Sequence, residues 1–480
     1  MITLNSNYVR CDGENDIVIG KNLTVNGNGN TIDAKGLGRI FRINQGCTVV
    51  LDNIIMVNGN AYEGGAIYSE GPLTLNSCQI YNCNASTGGA VYTSDSITIF
   101  ASVFSENTAK LGGGVAVNNS NSTYSIYYSE FYANIASGNG GGLFLEGNVS
   151  GVINGSSLKY NKAENDDMTG GGAICLHSGS YANFYDCTIS GNSAFFGGAI
   201  LLEGDSGMET TVIIEKCFFA ENRANPGFGG AICTIQNGGI PTLDILDSSF
   251  IDNLAASGGA ITLDEFSRFM IKGGDFTTNL ANEGAAIYSL SNATIENTNF
   301  YNNRANNRGG AVLAEGGYFN INVDVIGSTF TSNRGNAGGA IFVSGELMVE
   351  DSIFDDNKGE GSAIYMSNGE LISIGNTIDK GNARIVLTDD AKIVSDVTII
   401  VLDNKTLPVK PNQKIKLNAT VCDDNGNLIR DDKFQITVDG EAIETEYNDG
   451  TQQYEADYNI ENDDQKVVSM NYVTTDNLNI

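Results

Sequence analysis

The chain repeats one short phrase, Gly-Gly-Ala-aliphatic, and no other property restricts its fold so tightly. The phrase or a near variant begins at residues 64, 88, 112, 140, 171, 197, 229, 258, 284, 309, 338 and 361, twelve copies spaced 23 to 32 residues apart. The residue after the third small position is always aliphatic: Ile67, Val91, Val115, Leu143, Ile174, Ile200, Ile232, Ile261, Ile287, Val312, Ile341 and Ile364. A second phrase lies between the copies. It places Asn58, Asn107, Asn134, Asn161, Asn192, Asn222, Asn253, Asn279, Asn303, Asn333 and Asn357 in one column, with Cys83 as its exception. Three residues before each stands Ile55, Ile80, Phe104, Phe131, Leu158, Ile189, Phe219, Phe250, Phe276, Phe300, Phe330 or Phe354. Two residues earlier again comes a small group, among them Cys78, Ser102, Ser129, Ser156, Cys187, Cys217, Ser248 and Ser352.

Columns this regular need a geometric cause. Repeats of this length, built from short β-prone runs with no helical period, predict a right-handed parallel β-helix, an all-β solenoid in which each coil rests on the last. Coils then stack at the strand separation of about 4.8 Å, so twelve of them make a rod of roughly 55 Å. Stacked Ile and Phe fill the interior, stacked Asn amides bond along a ladder at an inward turn, and the small column marks a tight corner. Residues 1–60 read as N-terminal coils without the full motif and 61–380 as the repeats, the solenoid ending near 395. From 396 to 480 glycine becomes sparse and strands alternate around Asn425-Gly426, Asp439-Gly440 and Asp449-Gly450, which predicts a small Ig-like β-sandwich covering the open end.

Bulk properties exclude several function classes. A net charge of −31 argues against nucleic-acid or anionic-membrane partners, both of which attract basic surfaces. No run of eighteen apolar residues is present, so no membrane-spanning helix is expected. Met1-Ile-Thr-Leu is strand-like rather than a signal sequence, which points to a mature or trimmed piece if the protein is exported. Nine cysteines without zinc-type spacing give no disulfide framework. Cys187 and Cys217, at equivalent places in neighbouring coils, read as small corner residues, and Cys175 and Cys233 stand two coils apart.

Asn26-Gly-Asn-Gly-Asn-Thr-Ile-Asp, then Arg39-Ile-Phe-Arg-Ile, then the repeated Gly-Gly-Ala-Ile-Tyr and Phe-x-x-Asn-x-Ala resemble the adhesin-like surface proteins of methanogenic archaea. The two short motifs are also similar to those of the chlamydial polymorphic outer-membrane proteins. Val421-Cys-Asp-Asp-Asn-Gly-Asn-Leu-Ile and Phe434-Gln-Ile-Thr-Val-Asp-Gly are similar to bacterial Ig-like modules. The resemblance implies an extracellular protein on the cell surface or wall, a monomer contacting surface glycans or proteins of other cells. It leaves the anchoring mode open.

Candidate chemistry is sparse. The Asn ladder and the Gly-Gly-Ala phrase are scaffold, since the latter recurs twelve times and has no Lys-Ser/Thr partner of a phosphate loop. A catalytic site on such a scaffold, in a polysaccharide lyase or glycoside hydrolase, needs grouped carboxylates. The best groupings are Asp264 and Glu265 with Asp244 and Asp247, and Asp166-Asp167. Glu70, Glu146, Glu203 and Glu315 read instead as a solvated face. No enzyme is therefore expected, and a viral tail-fibre-like receptor-binding segment is a further alternative. His177, the lone histidine, reads as a surface residue without a partner.

The column after the conserved aliphatic is Tyr68, Tyr92, Phe144, Leu201, Tyr288, Leu313, Phe342 and Tyr365. Alternation sends it outward, so its aromatic members form a predicted binding stripe. Asp423, Asp424, Asn425 and Asn427 carry oxygen ligands in the manner of a calcium loop, but a plain hairpin turn explains them better and no cofactor is expected. Glycosylation sequons occur at Asn22, Asn84, Asn118, Asn121, Asn148, Asn154, Asn292, Asn404 and Asn418.

Overall fold

A computed structural model describes residues 1–480 except 165–168, 206, 318, 380–383, 394–396, 401–409, 424–425, 462–465 and 473–480. Asp166, Asp167, Asn404, Asp424 and Asn425 therefore lie outside the described residues. Among those described, every regular element is a strand, and the fold is an all-β parallel solenoid of about 15 turns. Among the described residues no helix is long and apolar enough to cross a membrane. The chain divides into two compact units, Met1–Thr294 and Ile295–Ile480. A coil rests only on its neighbours.

In the first unit each coil runs through three long sheets and one short one. The coil after Gly64 shows the plan: Ile67–Ser69 in the third sheet, Leu73–Asn76 in the first, Gln79–Tyr81 in the second, then the next Gly-Gly-Ala. The strands of the three long sheets pair in parallel and in register, Leu75 with Ile99, Ile80 with Phe104, and Val91 with Val115. A short fourth row, such as Thr108–Ala109 against Ile135–Ala136, precedes the glycines.

Three left-handed backbone positions turn each coil. In the coil around Phe219 they are Lys216 (φ 54°), Glu221 (φ 57°) and Gly229 (φ 65°). The first two carry side chains there at a cost of roughly 1–2 kcal/mol each, and each is followed by a polar ladder that offsets it. After the first corner, the backbone N–H of Ser102 donates to Ser129 Oγ, and that of Ser129 to Ser156 Oγ. After the second, Asn192 donates both its N–H and one Nδ2–H to Asn222 Oδ1, while its other amide hydrogen reaches the Leu158 carbonyl. Asn107, Asn134, Asn161, Asn222 and Asn253 repeat this pattern, so wholly buried amides leave no donor or acceptor unmet.

Inside the coil the rings stack at the strand spacing. Phe219 and Phe250 lie 4.8 Å apart, and Phe250 and Phe276 4.7 Å, each pair within 6° of parallel. Full burial of each such side chain contributes about 1.5–3 kcal/mol. The aliphatic column is equally dry, with Ile200, Ile232 and Ile261 at 0% exposure.

The first repeat slips by one residue from the sequence reading. Met56, not Ile55, pairs with Ile80, and Gly59, not Asn58, stands in the ladder beneath Cys83. Asn58 instead occupies the left-handed corner (φ 57°) with Asn82 above it. Gly59 suffices because its N–H donates to Cys83 Sγ at 3.3 Å and needs no side chain to do so.

Thiols occupy the same buried columns. All nine cysteines are free, and only Cys11 is exposed. Cys187 N–H donates to Cys217 Sγ, so this pair serves as a link in the corner ladder. Burial pushes the Cys78 thiol up to about 11 and Cys83 up to about 12. A maleimide at neutral pH should therefore label Cys11 alone in the native chain and all nine thiols after denaturation, read by intact mass. Rapid labelling of several sites in native buffer would contradict the stacked interior.

The second unit continues the same construction within itself. Phe300, Phe330 and Phe354 stack at 4.7 and 4.9 Å, and Asn303, Asn333 and Asn357 form a ladder. Its C-terminal part is antiparallel. Lys414–Asp423 pairs with Val397–Ile400 and Gln453–Asn459, and Phe434–Val438 pairs with Glu441–Ala442 and Val468–Tyr472. Ile429–Asp431 leaves these small sheets and pairs in parallel with Ile385–Leu387. That strand covers an edge the coil would otherwise leave open.

Candidate functional site

Alternation does send the column after the conserved aliphatic away from the coil interior, but not into solvent. Ala116, Phe144, Cys175, Leu201 and Cys233 form a second apolar cluster outside the coil, each at 4% exposure or less. Tyr92, Leu111, Phe196 and Ile235 pack against it. Two of these, Leu111 and Phe196, are the residues just before a Gly-Gly pair. Tyr68 and Tyr92 stack at 5.4 Å and are half-buried, with the Arg39 and Arg42 guanidinium groups 5.0 and 5.5 Å from the Tyr68 ring centroid. Tyr288 is half-buried. In the second unit Phe342 is 5% exposed, stacked on Tyr365 at 5.2 Å and covered by Arg308 at 4.8 Å. Of the predicted stripe, Phe144 and Phe342 are thus buried, and Tyr68, Tyr92, Tyr288 and Tyr365 are half-buried.

The exposed aromatic face lies on the second sheet and its corners. Tyr128, 64% exposed, occupies the first corner with φ 50°, and Tyr160, 55% exposed, the second with φ 55°. Both rings lie over the glycine of the next coil. A Cβ on Gly155 would stand 2.7 Å from Tyr128 Cδ1, and one on Gly191 2.5 Å from Tyr160 Cε1. Tyr128 meets Phe100 edge to face at 5.9 Å, and Tyr160 meets Tyr132 likewise at 5.7 Å. Phe100 and Tyr132 are themselves 44% and 40% exposed. Since Glu130–Tyr132 is the intervening strand, the two pairs bracket the second sheet about 10–13 Å apart at roughly 3.3 Å per residue. Rings held by glycine on one face and by a neighbour at the edge lose little freedom on binding, which makes them preorganised contacts.

The predicted carboxylate grouping does not assemble as a unit. Asp264 caps its own turn, Oδ2 accepting from the Gln236 N–H and Oδ1 from the Glu265 N–H. Asp244 projects from the first sheet within Pro241–Leu246, its carboxyl pushed up by burial and then by Glu209. Asp247 occupies the adjoining corner with φ 45°.

His177 is less isolated than its sequence context implies. Its Nδ1 lies 3.7 Å from Glu146, and its Nε2 lies 3.6 Å from Glu203 and 3.8 Å from Asp205. Coil stacking brings these together from residues about thirty apart, as a partly exposed group of the kind that adds little stability. Among the described residues, no three or more His, Cys, Asp or Glu side chains are placed to hold a metal ion. Near the expected hairpin, Asp423 spends both carboxylate oxygens on the N–H and amide of Asn427. Sequon residues Asn22, Asn84, Asn121, Asn148, Asn292 and Asn418 are exposed, and Asn118 and Asn154 are half-buried.

Residues 297–315 match the Chlamydia polymorphic membrane protein repeat. That segment runs from the corner at Asn297 through Phe300, Asn303 and Gly309-Gly310-Ala311 to Glu315, one complete set of the columns described above. A receptor-like relative also matches: "Metabotropic glutamate receptor-like protein R" of Dictyostelium discoideum is 31% identical over 148 residues. The match covers 29% of this chain and 9% of that protein. No solved structure matches the chain.

Proposed function

We propose that this protein is a non-enzymatic, adhesin-like solenoid displayed at a cell surface, which holds extended glycans or proteins of another cell on its second-sheet face. The observation that carries the reading is the exposed Phe100–Tyr128 and Tyr132–Tyr160 pairs, four rings at the two corners of the second sheet with two of them seated on glycine. Open aromatic faces on a stiff scaffold suit sugar rings or extended peptide, which bury apolar edges without needing a deep pocket. The Chlamydia polymorphic membrane protein repeat and the receptor-like relative support a surface location. The likeness to archaeal adhesin-like proteins, with the C-terminal sheets as an Ig-like spacer, belongs to the same proposal. Binding on this face calls for no cofactor, and a net charge of −31 disfavours nucleic acid as the partner.

A glycan array followed by product analysis tests this reading. Saturable binding without new reducing ends or unsaturated products is expected. For the ligand so identified, Tyr128→Ala and Tyr160→Ala should each weaken binding about 5- to 30-fold, as a central aromatic contact worth roughly 1–2 kcal/mol does. Unfolding temperature should barely move, because both rings are more than half exposed. Cleavage of the glycan, or full affinity in the double variant, would sink it.

A further inference from the structure

A different part of the first unit carries a second site. In its early coils the second corner carries two rows of amides, one on either side of the buried ladder, with Asn60, Asn82 and Asn84 exposed and Asn58 half-buried. Asn82 Nδ2 donates to Asn58 Oδ1 at 2.6 Å, and Asn58 Nδ2 to Asp33 Oδ1 at 2.8 Å. Two residues further on, Thr108 Oγ1 donates to Asn84 Oδ1 at 2.9 Å, Asn84 Nδ2 to Asn60 Oδ1 at 3.1 Å, and Asn60 Nδ2 to the Gly36 carbonyl at 3.4 Å. Gly59 and Cys83 point inward between the rows and present no side chain to solvent. The result is a shallow groove of about 610 Å³ lined by Lys35, Gly36, Asn58, Gly59, Asn60, Asn82 and Asn84.

The lining defines the ligand by what it offers. It contains no apolar side chain larger than the glycines, so it gives a lipid or an aromatic group nothing to bury against. Each amide commits one Nδ2 hydrogen along its row and holds the second for another acceptor. The acceptors Asn58 Oδ1, Asn60 Oδ1 and Asn84 Oδ1 already receive a hydrogen each. Each amide oxygen keeps at least one lone pair, so the rows offer donors and acceptors alike, as hydroxyl groups require. Lys35 adds an ammonium that pairs with no carboxylate among the described residues. The Asp33 carboxylate behind it is engaged by both the Lys35 N–H and Asn58 Nδ2, which blunts its repulsion of an anion. A hydroxyl-rich ligand bearing a carboxylate meets all of these terms.

We propose that the groove binds a uronic-acid residue of an acidic glycan, with Lys35 taking the carboxylate and Asn58, Asn60, Asn82 and Asn84 taking ring and hydroxyl oxygens. Later coils lack this site because their equivalents of Asn82 are Glu106 and Ala133, and those of Asn84 are Thr108 and Ile135. The paired rows run only through Asn58-Gly-Asn60 and Asn82-Cys-Asn84.

Calorimetric titration of the intact chain with tetragalacturonate and with its methyl ester tests the assignment. Saturable binding of the free acid is expected, with the ester weaker by about 10- to 100-fold, as for loss of a charged hydrogen bond. Lys35→Gln should lower acid affinity to the level of the ester and leave the ester unchanged. Asn82→Ala with Asn84→Ala should weaken both ligands while the unfolding temperature holds, since both residues are exposed. Tyr128→Ala, at the first corner two coils beyond Asn82, should change neither, so failure of this site is distinguishable from failure of the aromatic one. Equal binding of acid and ester, no saturable binding, or indifference to Lys35→Gln overturns the proposal. So does native mass analysis showing a glycan on Asn84, which would fill the groove with the protein's own sugar.

Discussion

Asn222→Ala is expected to destabilise the protein by about 3–5 kcal/mol, although the side chain it removes touches no ligand and carries no charge. The Asn222 amide oxygen accepts two hydrogens from Asn192, and its nitrogen donates to Asn253 Oδ1 and to the Ile189 carbonyl. All of these groups are buried, so truncation leaves two orphaned donors and two acceptors short of a partner, at about 1–3 kcal/mol for a fully unsatisfied group. Asn58→Ala, one corner position away from the ladder and partly exposed, should cost less than about 1 kcal/mol. Chemical denaturation of both variants, followed by circular dichroism, gives the comparison. Native-state hydrogen exchange should show the loss concentrated in the coils on either side of Asn222, because each coil depends on its neighbours. Equal midpoints for the two variants would mean that the ladder is not what holds the second corner.

The second large effect is steric. Gly198→Ala should abolish native packing of its coil, at 4 kcal/mol or more by the standard of severe single substitutions. A Cβ at Gly198 would stand 2.2 Å from the Gly230 carbonyl oxygen and 2.7 Å from the Arg223 backbone, so backbone on both sides must shift to admit it. Gly36→Ala is the control: nothing lies within 4 Å of its Cβ, and only the left-handed backbone at φ 72° opposes it, for roughly 1–2 kcal/mol. Expression level and unfolding midpoint should therefore separate two identical chemical changes. If Gly198→Ala folds as well as Gly36→Ala, the close approach of successive coils is wrong.

The same close approach explains why the repeat could be read from residues alone. The first Gly of each phrase needs positive φ, with Gly197 at 57° and Gly229 at 65°, and in ten copies the second is a Gly with another coil's backbone where its side chain would be, Ala285 and Ser362 standing there in the other two. Phe219, Phe250 and Phe276 recur because in-register stacking puts like above like. Asn58 misled for a physical reason. The ladder's first rung needs only the Gly59 N–H, whereas the corner beside it favours Asn, so the Asn moves one place while the pattern looks intact.

The functional surface was less legible. Alternation placed Phe144 and Phe342 outside the coil correctly, but it carries no information about a segment arriving from the preceding turn to cover them. Tyr128 and Tyr160 follow no column of aromatics. The signal they leave is a Tyr matched one coil later by Gly155 or Gly191, which becomes visible only once corner positions are aligned. His177 looked solitary because Glu146 and Glu203 are remote in sequence and adjacent only through stacking.

Sequence by itself determined the solenoid, its corners, its dry interior and its amide ladder, because a one-dimensional stack converts spatial adjacency into a repeat along the chain. Tertiary structure alone decided which outward residues meet solvent. Exposure depends on the path of the short row before each Gly-Gly, and on a register that one residue can shift. Those two features covered Phe144 and Phe342 of the predicted stripe, opened the Tyr128–Tyr160 face, and left paired amide rows beside Lys35.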